Sequence, residues 1–233
     1  MFFFNPTYWL FMAPAIILML VVQWYVNSAY KKWGQVPTRN NFTGAQAAQR
    51  LIQRSGLYGV QIESVQGRLT DHYDPRSKVL RLSPAVYQGK SVASLAIAAH
   101  ELGHAMQDQE GYAPLRFRAA LVPAVNIGSY LGWILIFLGL LIGITELAWL
   151  GLIVFAGGAL FALATLPVEL NASARAKRLL VDSGLIVGDD EQRGVNKVLN
   201  AAAMTYVAAL ITAVMQLLYY ASMVVGMGGR RRG

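Results

Sequence analysis

AALVPAVNIGSYLGWILIFLGLLIGIT, residues 119–145, holds no Asp, Glu, Lys or Arg along its whole length. A helix needs about 20 apolar residues to cross the hydrocarbon core of a bilayer, where the backbone must satisfy its own hydrogen bonds. This stretch is long enough, and its surroundings repeat the pattern. Arg116 and Arg118 stand just before it and Glu146 just after, while residues 147–168 are again free of charge, as are residues 1–30 and 198–229. With 55% hydrophobic and 14% charged residues, the chain departs from the usual composition of soluble domains. The reading is a mainly α membrane protein with four transmembrane helices and a small α+β lobe. The helices are expected near Pro6–Val26, Leu121–Ile142, Leu147–Leu166 and Ala201–Val225.

Charge decides which side each polar region takes. Residues 27–118 carry twelve Lys or Arg, starting at Lys31 and Lys32, and the stretch after the third span carries Arg175, Lys177, Arg178, Arg193 and Lys197. The connector Gly143–Glu146 has no basic residue. Positive loops stay in the cytoplasm. The expected layout is an anchor at 1–30, a cytoplasmic lobe at 31–118, two spans at 119–167, a cytoplasmic helical segment at 168–200, and a fourth transmembrane or re-entrant helix with a basic tail at 201–233. Arg230, Arg231 and Arg232 would then lie outside, against the rule. The first segment lacks the basic start of a cleaved leader and reads as the retained anchor of a multi-pass protein of the cell membrane, although Asn27, Ser28 and Ala29 leave a cleavage site available. The bases behind the net charge of +8 form no stripe interleaved with aromatics, so nucleic acid is not expected as a partner. Cysteine is absent, which removes disulfides and thiolate ligands. Any metal must be held by His or carboxylate.

Within the lobe, Thr43 and Gln46 have the spacing of a capping box for a helix that Gly56 ends after Ser55. Val60–Val65 reads as a strand, and Arg68–Tyr73 and Lys78–Leu82 flank the turn residues Asp74, Pro75, Arg76 and Ser77, which predicts a hairpin. Ser91 caps a further helix that runs to Glu110 and is stopped by Gly111 and Pro114. The run His100, Glu101, Leu102, Gly103, His104 falls inside it. Residues four apart share a helix face, so the two imidazoles can meet one ion with Glu101 beside it. Catalytic zinc takes three protein ligands and keeps a fourth position for water. The chain has three histidines, two of them in this run, and Ala96, Ile97, Ala98 and Ala99 make the helix small and apolar. A chance placement on a solvated face would not concentrate them so.

The third ligand is open between His72, upstream on the hairpin, and Glu169, which follows Pro167 at the start of a helical stretch to Leu180. The second polar region shares a side with the HELGH helix, which favours Glu169 and disfavours the loop residue Glu146. An ordinary acid in a first helical turn is the plainer role for Glu169.

Four blocks follow in order: LTDHYDPRSKVLRLSPAVY, AAHELGHAMQ, GYAPLRFRAALVPAVNIGS and LPVELNASARAKRLL. Together they resemble the YugP-like family of bacterial membrane zinc metallopeptidases, more distantly similar to HtpX-type and CAAX-processing proteases. The resemblance implies a zincin-like lobe of the glutamate type (gluzincin), Zn2+ as cofactor, His100, His104 and Glu169 as its ligands, and Glu101 as catalytic base. The HtpX-like pattern places an Asp four residues after the ligand Glu to orient a histidine; Ser173 stands there instead, and its hydroxyl can accept an imidazole N–H without supplying charge. Asn171 is a further orienting candidate. In similar peptidases a strand before the metal helix pairs with extended substrate, which offers His72 and Tyr73 as substrate-side residues. Either could instead stabilise the oxyanion, or Asp74 and Pro75 could simply form a turn beside a half-exposed His72.

The expected activity is that of a zinc metalloendopeptidase whose site faces the cytoplasm. Its substrate is protein or peptide near the membrane, its surroundings are lipid, and there is room for an oligomer or regulatory partner. A zinc-binding membrane scaffold with little hydrolysis is the rival, and Glu101 separates the two, since a scaffold has little use for that carboxylate. Transport fits less well, because the spans hold no charge and only scattered Gln23, Asn126 and Gln216. The sequons at Asn41 and Asn171 fall on the cytoplasmic side and read as cap or loop residues.

Overall fold

The caps expected at Thr43, Gly56 and Ser91 are found where helices begin and end. The structure, a computed structural model, describes residues 6–230, with side chains through Gly226. Along the chain come α1 (Pro6–Trp33), α2 (Gly44–Ser55), β1 (Gln61–Ser64), β2 (His72–Asp74), β3 (Val79–Leu82), α3 (Pro84–Tyr87), α4 (Val92–Gln109), α5 (Ala113–Ile142), α6 (Thr145–Phe155), α7 (Gly157–Asp182) and α8 (Asp189–Arg230). Four helical stretches are long and apolar enough to cross a membrane: Pro6–Trp33, Ala113–Ile142, Thr145–Asp182 and Asp189–Gly226.

Contacts divide the chain into two compact units. One takes the residues up to Val22, Arg116–Pro167 and those from Thr205 on. It turns large apolar side chains outward: Leu10 is 71%, Ile127 70% and Ile153 69% exposed. Such a surface suits lipid and not water. Inside it, α5 packs on α6 through glycine: a Cβ on Gly139 would lie 2.5 Å from Ala148 N, and one on Gly151 2.5 Å from Ile136 N.

The other unit takes Gln23–Leu115 and Val168–Met204. Thr43 Oγ1 accepts from Gln46 N at 3.1 Å and Gln46 Oε1 accepts from Thr43 N at 3.0 Å, so the capping box of α2 is closed. Gly56 ends the helix in the left-handed region at φ 70°. The hairpin pairs β2 and β3 with Tyr73 opposite Leu80. Asp74 closes its turn by accepting from Arg76 N at 3.0 Å and Ser77 Oγ at 2.7 Å. On the far side of β3, β1 pairs in parallel, giving the order β1-β3-β2. Helix α4, capped by Ser91, runs through the core, where Leu51, Leu80, Leu82, Leu95, Leu102, Leu180 and Leu199 are all buried.

Several expected boundaries moved. Helix α5 begins at Ala113, because Pro114 in its first turn is pre-set for helical φ; Arg116 and Arg118 are helical. The third span is two helices, α6 and α7, joined at Ala156. Helix α7 then runs through Pro167 without ending. A proline removes one ladder bond, and burial of Val168, Glu169 and Ala172 beyond it holds the helix together. Glu169 therefore lies in a helix interior, and the dipole of a first turn does not account for it. Helix α8 starts at Asp189, well before Ala201, and continues uninterrupted to Arg230. Residues 1–5 of the expected anchor, Arg231 and Arg232 lie outside the described residues, as does the side chain of Arg230.

Candidate metal centre

Two helix faces build the site. On α4, His100, Gly103, His104 and Gln107 recur at spacings of three and four; on α7, Glu169, Ala172 and Ser173 do the same. Gly103 lets these faces meet closely, since a Cβ there would lie 2.6 Å from Ala172 O. The ligand atoms of His100, His104 and Glu169 come within 4.8 Å of one another, the one such group found among the described residues. Glu169 Oε2 is 3.3 Å from His100 Nε2 and 3.4 Å from His104 Nε2. Glu169 is only 2% exposed. A carboxylate so buried needs positive charge opposite it, and two imidazole nitrogens with one carboxylate oxygen form a donor set that fits zinc.

The opposite nitrogen of each ring is also engaged. Ser173 Oγ lies 3.2 Å from His100 Nδ1, and Gln107 Oε1 lies 3.0 Å from His104 Nδ1. Partners of this kind fix ring orientation in metal sites. Ser173 thus meets an imidazole, whereas Asn171 touches neither and bonds Gln107 and Arg175 instead. Gln107 escaped the sequence reading, although its place three residues after His104 puts it on the same face.

Glu101 sits beside the trio, and its Oε2 accepts from Tyr73 N at 3.2 Å. Burial pushes the Glu101 carboxyl above its ordinary range, against the pull of His100 and His104. Burial alone would lower His104, but a hydrogen bond from its protonated ring to the Glu169 carboxylate and the charge of Glu101 outweigh it and raise the imidazole. The Tyr73 hydroxyl donates to Asp108 Oδ2 at 3.1 Å; burial and that bond hold the phenol above its usual range. His72 is exposed, with its Nδ1 2.7 Å from Thr70 O. Of the two candidates for third ligand, the structure brings Glu169 to the imidazole pair and leaves His72 outside the group.

Apolar spanning helices and a buried His–His–Glu cluster on an HELGH helix define a membrane protein with a candidate metal centre. Comparison with known proteins agrees with that class. The family described as "Putative neutral zinc metallopeptidase" matches residues 8–225. The chain is also 45% identical over 206 residues to the "Putative membrane protease YugP" of Bacillus subtilis (strain 168), covering 88% of this chain and 91% of that protein. The chain belongs to this zinc metallopeptidase family. No solved structure matches it. Membership implies zinc and a peptide substrate, and the four apolar helices imply association with lipid.

Proposed function

We propose that the chain is a membrane zinc metalloendopeptidase of the gluzincin type, in which His100, His104 and Glu169 hold one Zn2+ and Glu101 is the general base. The convergence of three donor atoms, with both Nδ1 atoms engaged elsewhere, carries this reading. When bound, the ion supplies a Lewis acid that polarises a carbonyl and acidifies water. Glu101 holds its Oε2 against Tyr73 N–H and takes up a proton at Oε1 from the attacking water. The same carboxyl then delivers that proton to the leaving amine. Strand β2 lies at the sheet edge, where an extended substrate would run with His72 and Tyr73 beside it. The substrates are membrane proteins or segments close to the bilayer.

Glu101→Gln tests the base. The variant is expected to keep about one zinc per chain and to lose about 10²–10⁴-fold in cleavage of a detergent-solubilised protein substrate. Undiminished cleavage would overturn the assignment, and a zinc-binding scaffold would cleave in neither form. The basic residues of 27–118 and 175–197 support a site on the cytoplasmic face. Because the chain has no cysteine, a thiol placed at Ser77 gives a clean test: in intact cells it should escape a membrane-impermeant reagent, while one at Ile144 should react. The reverse labelling would invert the orientation.

A further inference from the structure

We propose that Gln107 is the positioning residue that turns Nε2 of His104, and not Nδ1, toward Glu169; the assignment rests on reading His100, His104 and Glu169 as a metal centre. The polarity of the hydrogen-bonded chain around Gln107 is set by two groups that each have one option. A guanidinium can only donate. Arg175 places Nε 2.7 Å from Asn171 Oδ1 and forks its two terminal nitrogens onto Glu110 at 2.6 and 2.8 Å. The Asn171 atom in that contact is therefore its oxygen. Val168 O, a main-chain carbonyl, can only accept. Gln107 Nε2 sits 2.8 Å from Val168 O and 3.0 Å from Asn171 Oδ1. Both amide hydrogens have acceptors there, and exchanging the amide's nitrogen and oxygen would set oxygen against oxygen twice.

Gln107 Oε1 is left facing His104 Nδ1 at 3.0 Å. Since a carbonyl oxygen only accepts, Nδ1 carries the hydrogen, and neutral His104 keeps its lone pair on Nε2, the atom 3.4 Å from Glu169 Oε2. Gln107 is 0% exposed, and a buried amide with every partner in place resists rotation. Its two acceptors flank Glu169 in sequence, so one side chain holds both the His104 ring and the helical turn that carries Glu169. His100 has no equivalent: the Ser173 hydroxyl at 3.2 Å rotates and can donate or accept.

The test uses the full chain in detergent. In the zinc-loaded parent, nitrogen-15 histidine NMR should show zinc on Nε2 of His104 and a slowly exchanging hydrogen on Nδ1. Zinc on Nδ1 would overturn the proposal without any variant. Gln107→Leu should weaken zinc by about 10–100-fold in chelator competition and speed exchange of that Nδ1 hydrogen, whereas Ser173→Ala should change zinc affinity less. A parent that binds zinc while Gln107→Leu leaves both readouts unchanged would overturn this assignment alone. A parent chain without zinc would overturn the metal centre and this assignment with it.

Discussion

The unit with the apolar outer surface and the unit with the candidate metal centre both use glycine to bring helices into backbone contact, but for different physical reasons. In lipid, helices gain little from burying apolar side chains, so association depends on close van der Waals packing, and small residues permit it. Gly139 and Gly151 serve that purpose between α5 and α6, where the atoms that meet are backbone and aliphatic. The unit with the candidate metal centre has a buried apolar core to drive its folding. Gly103 lets α4 pack closely on α7 there, as the glycines of the other unit do for α5 and α6. It sets the spacing at which two imidazoles on α4 reach a carboxylate on α7. One seam holds the fold together, and the other holds a chemical geometry.

The strongest way to break this contrast is Glu169→Ala. Zinc affinity measured by chelator competition should fall by more than the roughly 10–100-fold that outer partners typically contribute, with no change in membrane extraction or in the helical signal. Unchanged affinity would place the third ligand elsewhere, with His72 next in line. Next in size, Gly103→Val should cost about 1–3 kcal/mol through overpacking against Ala172 and weaken zinc as well. Gly139→Val should carry a similar stability cost in thermal unfolding but leave the zinc affinity of the folded chain intact. Equal losses of zinc from both would erase the distinction between the seams.

The smallest effect is expected at the hairpin. Hydrogen bonds from Ser77 and then Arg81 and Arg76 hold the Asp74 carboxyl well below the ordinary carboxylate range. A depressed folded pKa stabilises above the unfolded value, near pH 3.9 for Asp, and that contribution disappears as pH falls through the folded value. Melting midpoints followed downward from pH 6 should therefore show a slight extra acid loss in the parent that Asp74→Asn lacks. Identical acid limbs would mean that the turn contributes nothing measurable.

Local chemistry was legible where neighbours in sequence are neighbours in space. Thr43 with Gln46, Ser91, Gly56 and the Asp74 turn each act within a few residues, and their caps and turn stand as read. Long-range pairings were not. Nothing along Gln61–Ser64 indicates a parallel partner at Val79–Leu82, because the pairing depends on where the chain returns. The break at Ala156 and the passage of α7 through Pro167 were also hidden. A proline's effect on a helix depends on whether burial beyond it repays the lost bond, and Val168, Glu169 and Ala172 are buried only in the folded unit.

Composition and spacing alone determined a four-span helical chain, a capped helix with two imidazoles one turn apart, and Glu101 between them. Helical periodicity and the absence of charge in long runs are properties of the chain itself, and they need no partner to be read. Which carboxylate faces those imidazoles was decided by the approach of α7 to α4 at Gly103, and which nitrogen His104 presents is, in our proposal, set by the buried amide of Gln107. Those choices depend on contacts between residues more than sixty positions apart, which exist only once the chain has folded.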